Sequence, residues 1–485
     1  MLYMVGDNNL SDEMIGALSR VRSGQEVSDD IAIFAQFDGP HPSIKTKRMN
    51  LQLKGTGRNY KVEISNDDTA SEQAIYDFAK VCINGDPKEP TIFPGGRADK
   101  YALILSGHGD GVQQRTLLLD ESPDRVLTIP GLKSAISRIY NDFLGRKLAI
   151  LGVDSCLMNS LELSFELRGF VKLLVASQGN IPNAGWDLAA ICKQLSSLTT
   201  NTSPAYVARH VLTDTLLESN RPFACEGGRS TDLSVCNLDH FADAPKGGIV
   251  SALEEFAGRL RDHFPAIGNE PLRPASNGKL HNSKLTEIII ADAVLISRMK
   301  CQKFLSNQAI DLFDFCYVLR GQLKVVRQSL ELAGGKGANQ LKADLTDISE
   351  SCQRIMDSIK GPKDSAPSYR LIQYGIYSGS DAQFANGVSL FFPWTGTAYG
   401  LLKGSYENLA LSVDPAGRAW IDFIERFLFF VMRDREFRER SSPPYYKSSP
   451  PYYKGSDIYL DYFGRISNFI FNADDEGRTD EHYRQ

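Results

Sequence analysis

The strongest constraint on this chain is a recurrence in its first 200 residues. Short apolar runs rich in branched side chains alternate with stretches whose apolar residues return every three to four positions. Runs of the first kind are strands buried on both faces, and stretches of the second kind are helices that cross between them. The pattern therefore predicts an α/β core, a mostly parallel sheet flanked by helices. The candidate strands are Leu2 to Val5, Ile31 to Phe37, Tyr101 to Ser106, Leu148 to Val153 and Val171 to Ala176. Between the third and fourth, Leu132, Ala135, Ile136, Ile139, Tyr140 and Phe143 keep helical spacing behind a Pro130-Gly131 start signal, which makes one right-handed crossover unit. A polar hairpin is expected over Lys47 to Ile64, and a helix over Ser71 to about Cys82 that buries Ala74, Ile75 and Phe78.

After about residue 200 the pattern shifts to long helices, predicted over Pro204 to Ser219, Val250 to His263, Ile310 to Ala333, Gln340 to Ile359 and Arg418 to Arg433. Strands are fewer there: Thr231 to Leu238, Tyr374 to Tyr377 and Val388 to Phe392. The expected division is an α/β core over 1–200, a helix-rich C-terminal lobe with a few strands over 201–435, and a tail over 436–485. The tail repeats one heptad in tandem, Ser441 to Lys447 (SSPPYYK) and Ser448 to Lys454. Paired prolines in such a repeat exclude a core helix and read as an extended, solvated linker, with a recognition segment as the second reading.

Charge and cysteine usage narrow the function classes. Lys and Arg number 54 against 59 Asp and Glu, a net charge of −5, and neither sign forms a long block. No electrostatic footprint for nucleic acid is present. No apolar run approaches the roughly 18 residues that span a bilayer; the best, Phe427 to Met432, is flanked by Glu425, Arg426 and Arg433. No membrane partner is expected. The chain has no charged-then-apolar leader, yet Met1 cuts into the first strand, so reduced thiols favour the cytoplasm while an upstream start would keep secretion open. The large helical lobe is expected to complete a monomer. The eight cysteines (82, 156, 192, 225, 236, 301, 316 and 352) show no Cys-x-x-Cys pair and no zinc spacing, and are too sparse for a disulfide scaffold.

Chemistry concentrates at two strand ends. The strand ending at Ser106 runs into Gly107-His108-Gly109-Asp110-Gly111. A dinucleotide fingerprint would need a third Gly where Val112 stands, and no Gly-Lys-Ser/Thr occurs anywhere, so a phosphate loop is excluded. The glycines instead bring backbone N–H groups close to a ligand while one imidazole projects from the strand end; a surface turn histidine is the bland alternative. The next strand ends in Asp154-Ser155-Cys156-Leu157-Met158 and leads into a helical pattern through Leu161 and Phe165. Cys156 is thus expected at a helix N-terminus, where the positive end of the dipole lowers a thiol pKa, against the alternative of a buried structural thiol. Consecutive strands of a βαβ unit tend to be neighbours and end at the same edge, which would turn His108 and Cys156 into one crevice. Asp154 opposes simple activation of the thiol by like charge. It makes sense as a carboxylate waiting for a substrate guanidinium or ammonium, with capping of the following helix as the alternative. No Gly-x-Ser-x-Gly elbow supports serine chemistry.

At these residues the chain resembles the clostripain family of cysteine peptidases, in the caspase-like clan with gingipains, legumains and separases. The resemblance is carried by Tyr3-Met4-Val5-Gly6-Asp7-Asn8-Asn9-Leu10, Ser106-Gly107-His108-Gly109 and Asp154-Ser155-Cys156-Leu157-Met158. It continues through Ala176-Ser177, Gly185-Trp186, Asp311-Leu312-Phe313-Asp314-Phe315 and Gly387-Val388-Ser389-Leu390-Phe391-Phe392-Pro393. The resemblance implies a caspase-like fold and an endopeptidase that cleaves protein or peptide substrates after Arg or Lys through a His/Cys dyad and a thioester. It makes Cys156 the nucleophile, His108 the general acid/base, and the N–H groups of Gly109 and Cys156 the oxyanion donors. Asp154, Ser177, Gln178 and Trp186 become the substrate-binding residues. It also implies self-cleavage between His108 and Cys156, for which Arg115 and Arg125, in apparent loops, are the candidates. The chain departs from the family in carrying Gln178-Gly179-Asn180 where acidic residues usually follow the Ala-Ser strand end, which removes negative charge from the expected pocket. No cofactor is required by this chemistry; calcium stays open without a calcium-loop motif to support it. A catalytically silent scaffold of the same fold is the rival reading.

Overall fold

The computed structural model describes residues 1–441 apart from 24–29, 41–43, 53–59, 65–67, 112–116, 123, 214–229, 244–247, 268–281, 305–307, 333–338 and 362–368. In chain order its strands are β1 (Leu2–Val5), β2 (Phe34–Asp38), β3 (Lys47–Asn50), β4 (Lys61–Glu63), β5 (Ala102–Ser106), β6 (Leu118–Glu121), β7 (Asp124–Leu127), β8 (Leu148–Asp154), β9 (Val171–Ala176), β10 (Thr231–Asn237), β11 (Lys303–Phe304), β12 (Ala309–Asp311), β13 (Ile372–Ser378) and β14 (Ser389–Phe391). Nine of them form one sheet in the order β13-β10-β9-β8-β5-β1-β2-β3-β4. The five central strands, β9, β8, β5, β1 and β2, pair in parallel, and the two at either flank pair antiparallel.

Period-2 alternation explains why this sheet is covered on both faces. Tyr3, Val5, Leu103, Leu105, Leu151, Val153, Leu174 and Ala176 point into one hydrophobic cluster, whereas Leu2, Met4, Ile104, Ile150, Leu173 and Val175 point into the other. Helices α2 (Glu72–Asn84), α3 (Ile129–Ile139) and α4 (Leu161–Leu167) cover the first face, and α1 (Ser11–Ser23) and α5 (Leu188–Leu195) cover the second. The starts of α2 and α3 are fixed by Ser71 and Thr128, whose hydroxyls accept from Ala74 N and Gly131 N.

The sheet does not stop where the parallel crossovers do. Past residue 200, β10 pairs with β9 through Ser234↔Ala176 to Asn237↔Leu173, and β13 then pairs with β10. The helices Ile249–Arg261, Leu312–Leu332, Asn339–Lys360 and Pro415–Ser441 contribute to the same apolar cluster as α2 to α4. β12 sits between β11 and β14 in a small separate sheet, and β6 and β7 form a hairpin. The helix expected over Pro204 to Ser219 is helical over Pro204–Tyr206 and continues as a wider π turn over Val207–Thr213. The last helix reaches Ser441, so the first six residues of the expected tail are helical; the rest of the SSPPYYK repeats lie outside the described residues. No helix among the described residues is long and apolar enough to cross a membrane.

Candidate active site

Strands β5 and β8 are neighbours with Ser106 opposite Asp154, and Gly107 N donates to Asp154 O at 3.3 Å. Both chains therefore leave the sheet at one carboxyl edge, and His108, Asp154 and Cys156 line a single cleft with Met4, Met14 and Trp186. Gly109 makes that convergence feasible. A Cβ on it would stand 2.6 Å from Cys156 O and 2.8 Å from Ser155 Cβ, so only glycine lets the His108 loop lie on the backbone of the nucleophile candidate. The N–H groups of Gly109 and Cys156 make no hydrogen bond to any of the described residues.

His108 is half-buried, and its Nε2 is hydrogen-bonded to Asn9 Oδ1. Asn8 fixes the turn that presents Asn9, donating from Nδ2 to Val5 O at 3.0 Å and to Leu119 O at 2.8 Å. This asparagine pair stands in the motif Gly6-Asp7-Asn8-Asn9, yet the sequence alone assigns it no role. The partner for the imidazole comes from another strand end and is legible only in space.

Cys156 is also half-buried, and Ile181 N donates to its Sγ at 3.3 Å. The expected lowering of its pKa is not found. Burial pushes the thiol up, the negative charges of Asp154 and Asp110 push it the same way, and only the Ile181 N–H opposes them. The physical reason is geometric. The following helix, α4, begins five residues later at Leu161, capped by Ser160, so its dipole end is not at the sulfur. In between, Leu157 takes a left-handed φ of 63°.

Asp154 is 3% exposed. Its Oδ2 accepts from Ser106 Oγ at 2.8 Å and its Oδ1 from Trp186 N at 3.1 Å, and burial raises its carboxyl to about 6. Since Ser160 caps α4, the capping reading of Asp154 is overturned. None of the described residues supplies a cation to it. Gly185, at φ 62°, lets the chain pass the carboxylate, because a Cβ there would lie 2.8 Å from Oδ2.

These features meet a direct comparison: the model of the clostripain family of peptidases (C11) matches residues 2–262. The chain belongs to the clostripain family. It is a cysteine-type peptidase, a hydrolase. No curated protein matches it significantly. Among solved structures it is similar to an inactive zymogen C11 protease from Parabacteroides distasonis, at 16% identity and TM-score 0.49, over 85% of this chain and 95% of that one. A secreted C11 cysteine protease from Bacteroides thetaiotaomicron in complex with an irreversible peptide inhibitor gives 15% identity and TM-score 0.49, over 86% and 97%.

Two of the four substrate-binding residues that the resemblance implies are placed elsewhere in this clostripain-family chain. Trp186 lines the cleft beside Asp154, but Ser177 and Gln178 do not. Ser177 Oγ donates to Asp232 Oδ1 at 3.0 Å. Gln178 Nε2 donates to Asp311 Oδ2 at 3.0 Å, while its Oε1 accepts from Gly387 N at 2.7 Å. Both side chains are fully buried. A glutamine suits that position because it supplies a donor to Asp311, which a second carboxylate would not. Arg125 is not in a loop: it is an exposed residue of β7, opposite Asp120 in the hairpin ladder. Arg115 lies outside the described residues. Of the other thiols, Cys82, Cys192, Cys236, Cys301, Cys316 and Cys352 are buried and free, and Cys225 lies outside the described residues. No group of three metal-binding side chains is found among the described residues.

Proposed function

We propose that this peptidase cleaves on the carboxyl side of Arg or Lys, with Cys156 as nucleophile, His108 as general acid/base and Asp154 at the base of the pocket for the basic side chain. The observation that carries the reading is the shared cleft: a buried carboxylate, with no cation among the described residues, lines it together with the imidazole and the thiol. A substrate guanidinium or ammonium entering there would exchange water for a charge-assisted pair in a dry setting.

With the thiol raised, a standing thiolate is disfavoured, so proton transfer from Sγ to His108 accompanies attack on the scissile carbonyl. The N–H groups of Gly109 and Cys156, unbonded among the described residues, receive the developing oxyanion. His108 then returns the proton to the leaving amine as the C–N bond breaks, which leaves a thioester on Cys156. Water, deprotonated by His108, attacks that thioester, and the C–S bond breaks as the thiol is reprotonated.

Incubation with an irreversible peptidyl-Arg electrophile, followed by mass mapping, should place the adduct on Cys156, and Cys156→Ala should abolish turnover of Arg and Lys reporters. No adduct on Cys156 and no reporter cleavage would sink the reading in favour of a silent scaffold. Self-cleavage is proposed at Arg115, since Arg125 is held in a ladder and a scissile segment must enter the cleft as a free extended strand. An Arg115→Gln protein that still converts to two fragments would refute that assignment.

A further inference from the structure

One buried carboxylate is used by no step above and holds the segment that backs the thiol. Asp232, in β10, is 3% exposed. Its Oδ2 accepts from Gln178 N at 2.9 Å, and its Oδ1 accepts from Gly179 N at 2.8 Å and from Ser177 Oγ at 3.0 Å. No cation among the described residues pairs with it, so these three donors, all from one short loop, are its compensation for burial. Gly179 is fitted to the carboxylate: a Cβ there would stand 3.0 Å from Oδ1.

The same loop is the mould for the chain after the nucleophile. Gly179 O accepts from Leu157 N at 2.9 Å, Ser177 O accepts from Asn159 N at 2.8 Å, and Ile181 N reaches Cys156 Sγ at 3.3 Å. Between those bonds sits Leu157 in its left-handed conformation, which a leucine holds only when its surroundings impose it.

We infer that Asp232 is a positioning residue for the reaction: by clamping loop 177–181 it sets the Cys156 thiol and the N–H that faces it. The inference rests on Cys156 being the nucleophile. Asp232 itself lines no part of the cleft and touches no reacting atom. In Asp232→Asn one oxygen remains to accept, but an NH2 replaces the other and meets a donor of the loop, such as Gln178 N, donor to donor. The loop relaxes, and the Ile181 N–H no longer favours the thiolate over the thiol. Asp154, Asp110 and His108, the other ionisable groups around the sulfur, keep their places.

The test is the alkylation of the full-length wild type, Asp232→Asn and Ser177→Ala by a peptidyl-Arg chloromethyl ketone, with the inactivation rate and the reagent affinity measured separately across pH. Asp232→Asn should slow inactivation on the order of 100-fold, as misplacement of a reacting group by about 1 Å does. Reagent affinity should change far less than the rate, because Asp154 and its donors Ser106 and Trp186 lie outside loop 177–181, and the rate–pH curve should move to higher pH. Ser177→Ala, which removes one donor of three, should give a smaller change of the same kind and decides the matter if Asp232→Asn does not fold. A wild type unlabelled at Cys156 overturns the nucleophile assignment and this inference with it. A labelled wild type whose rate and pH curve are matched by both variants overturns this inference alone.

Discussion

The cleft and the packed seam behind it each contain a buried carboxylate, and the two are provisioned differently. Asp154, in the cleft, accepts two hydrogen bonds, from Ser106 Oγ and Trp186 N. Asp311, in the seam, accepts four, from Asp314 N, Gln178 Nε2, and the backbone and side-chain nitrogens of Asn386. Burial raises both carboxyls, to about 6 and about 7. A raised pKa therefore does not tell a receptor from a structural joint. The count of donors and the presence of an open side do, because a carboxylate whose lone pairs are already filled by its own chain has little left to offer a substrate.

The sharpest way to break this contrast is Asp154→Asn. Loss of the pair with a basic substrate should lower kcat/KM for Arg reporters by roughly 100-fold, about 3 kcal/mol, with little change for neutral residues at the same position. An unchanged Arg preference would remove Asp154 from its role. The same variant should gain stability relative to the wild type as pH rises. A carboxyl raised from 3.8 to about 6 on folding binds its proton more tightly in the native state, so the stability it contributes is complete below about pH 4 and is lost as pH climbs through about 6. The Asp154→Asn protein avoids that loss, and the denaturation midpoints of the two proteins should separate between about pH 4 and pH 7.

A smaller effect concerns the wild type. Between about pH 7 and pH 5 Asp154 takes up its proton, and the Arg-over-neutral preference should fall by about tenfold. A preference that stays flat over that interval would mean that the carboxylate does not contact the basic group. Smallest is the change in the seam, Gln178→Glu, which sets a second carboxylate beside Asp311 and withdraws its donor. The cost should be about 1 kcal/mol, greater at about pH 8 than at about pH 5, because like charges raise proton affinity in the folded state and stability is then lost as pH rises. Equal urea midpoints for variant and wild type at the higher pH would show the seam to be less strictly built than the bonding implies.

Most of the sheet could be read directly from the sequence, because β1, β5, β8 and β9 are apolar runs, interrupted inside only by the exposed Lys172 of β9. Helix α1 obeys the same spacing rule through Met14, Ala17, Leu18 and Val21, yet its charged ends and two serines near its C-terminal end dilute the signal. The β6–β7 hairpin is short and half-charged, and its ladder is a property of the pair. At the candidate site, His108, Asp154 and Cys156 are legible because each lies at or within two residues of a recognisable strand end. Ser177 and Gln178 also follow a strand end, and there position misleads: it does not say which side of a loop a side chain takes, and Asp232 and Asp311, 55 and 133 residues further on, decide it. The thiol misleads for a related reason. Helical spacing begins near Leu161, and the intervening residues separate the sulfur from the dipole.

That long reach sets an order of events in synthesis. The segment after Cys156 is bonded not only to loop 177–181 but also to Ser389, whose N and Oγ both donate to Asn159 O, and to Phe391, whose N donates to Glu162 Oε1. A ribosome-bound chain of 200 residues carries His108 and Cys156 but lacks Asp232, Asp311, Gly387 and Ser389. The segment around Cys156 thus cannot make these contacts until Ser389 and Phe391 have been synthesised, more than 200 residues after Cys156 itself.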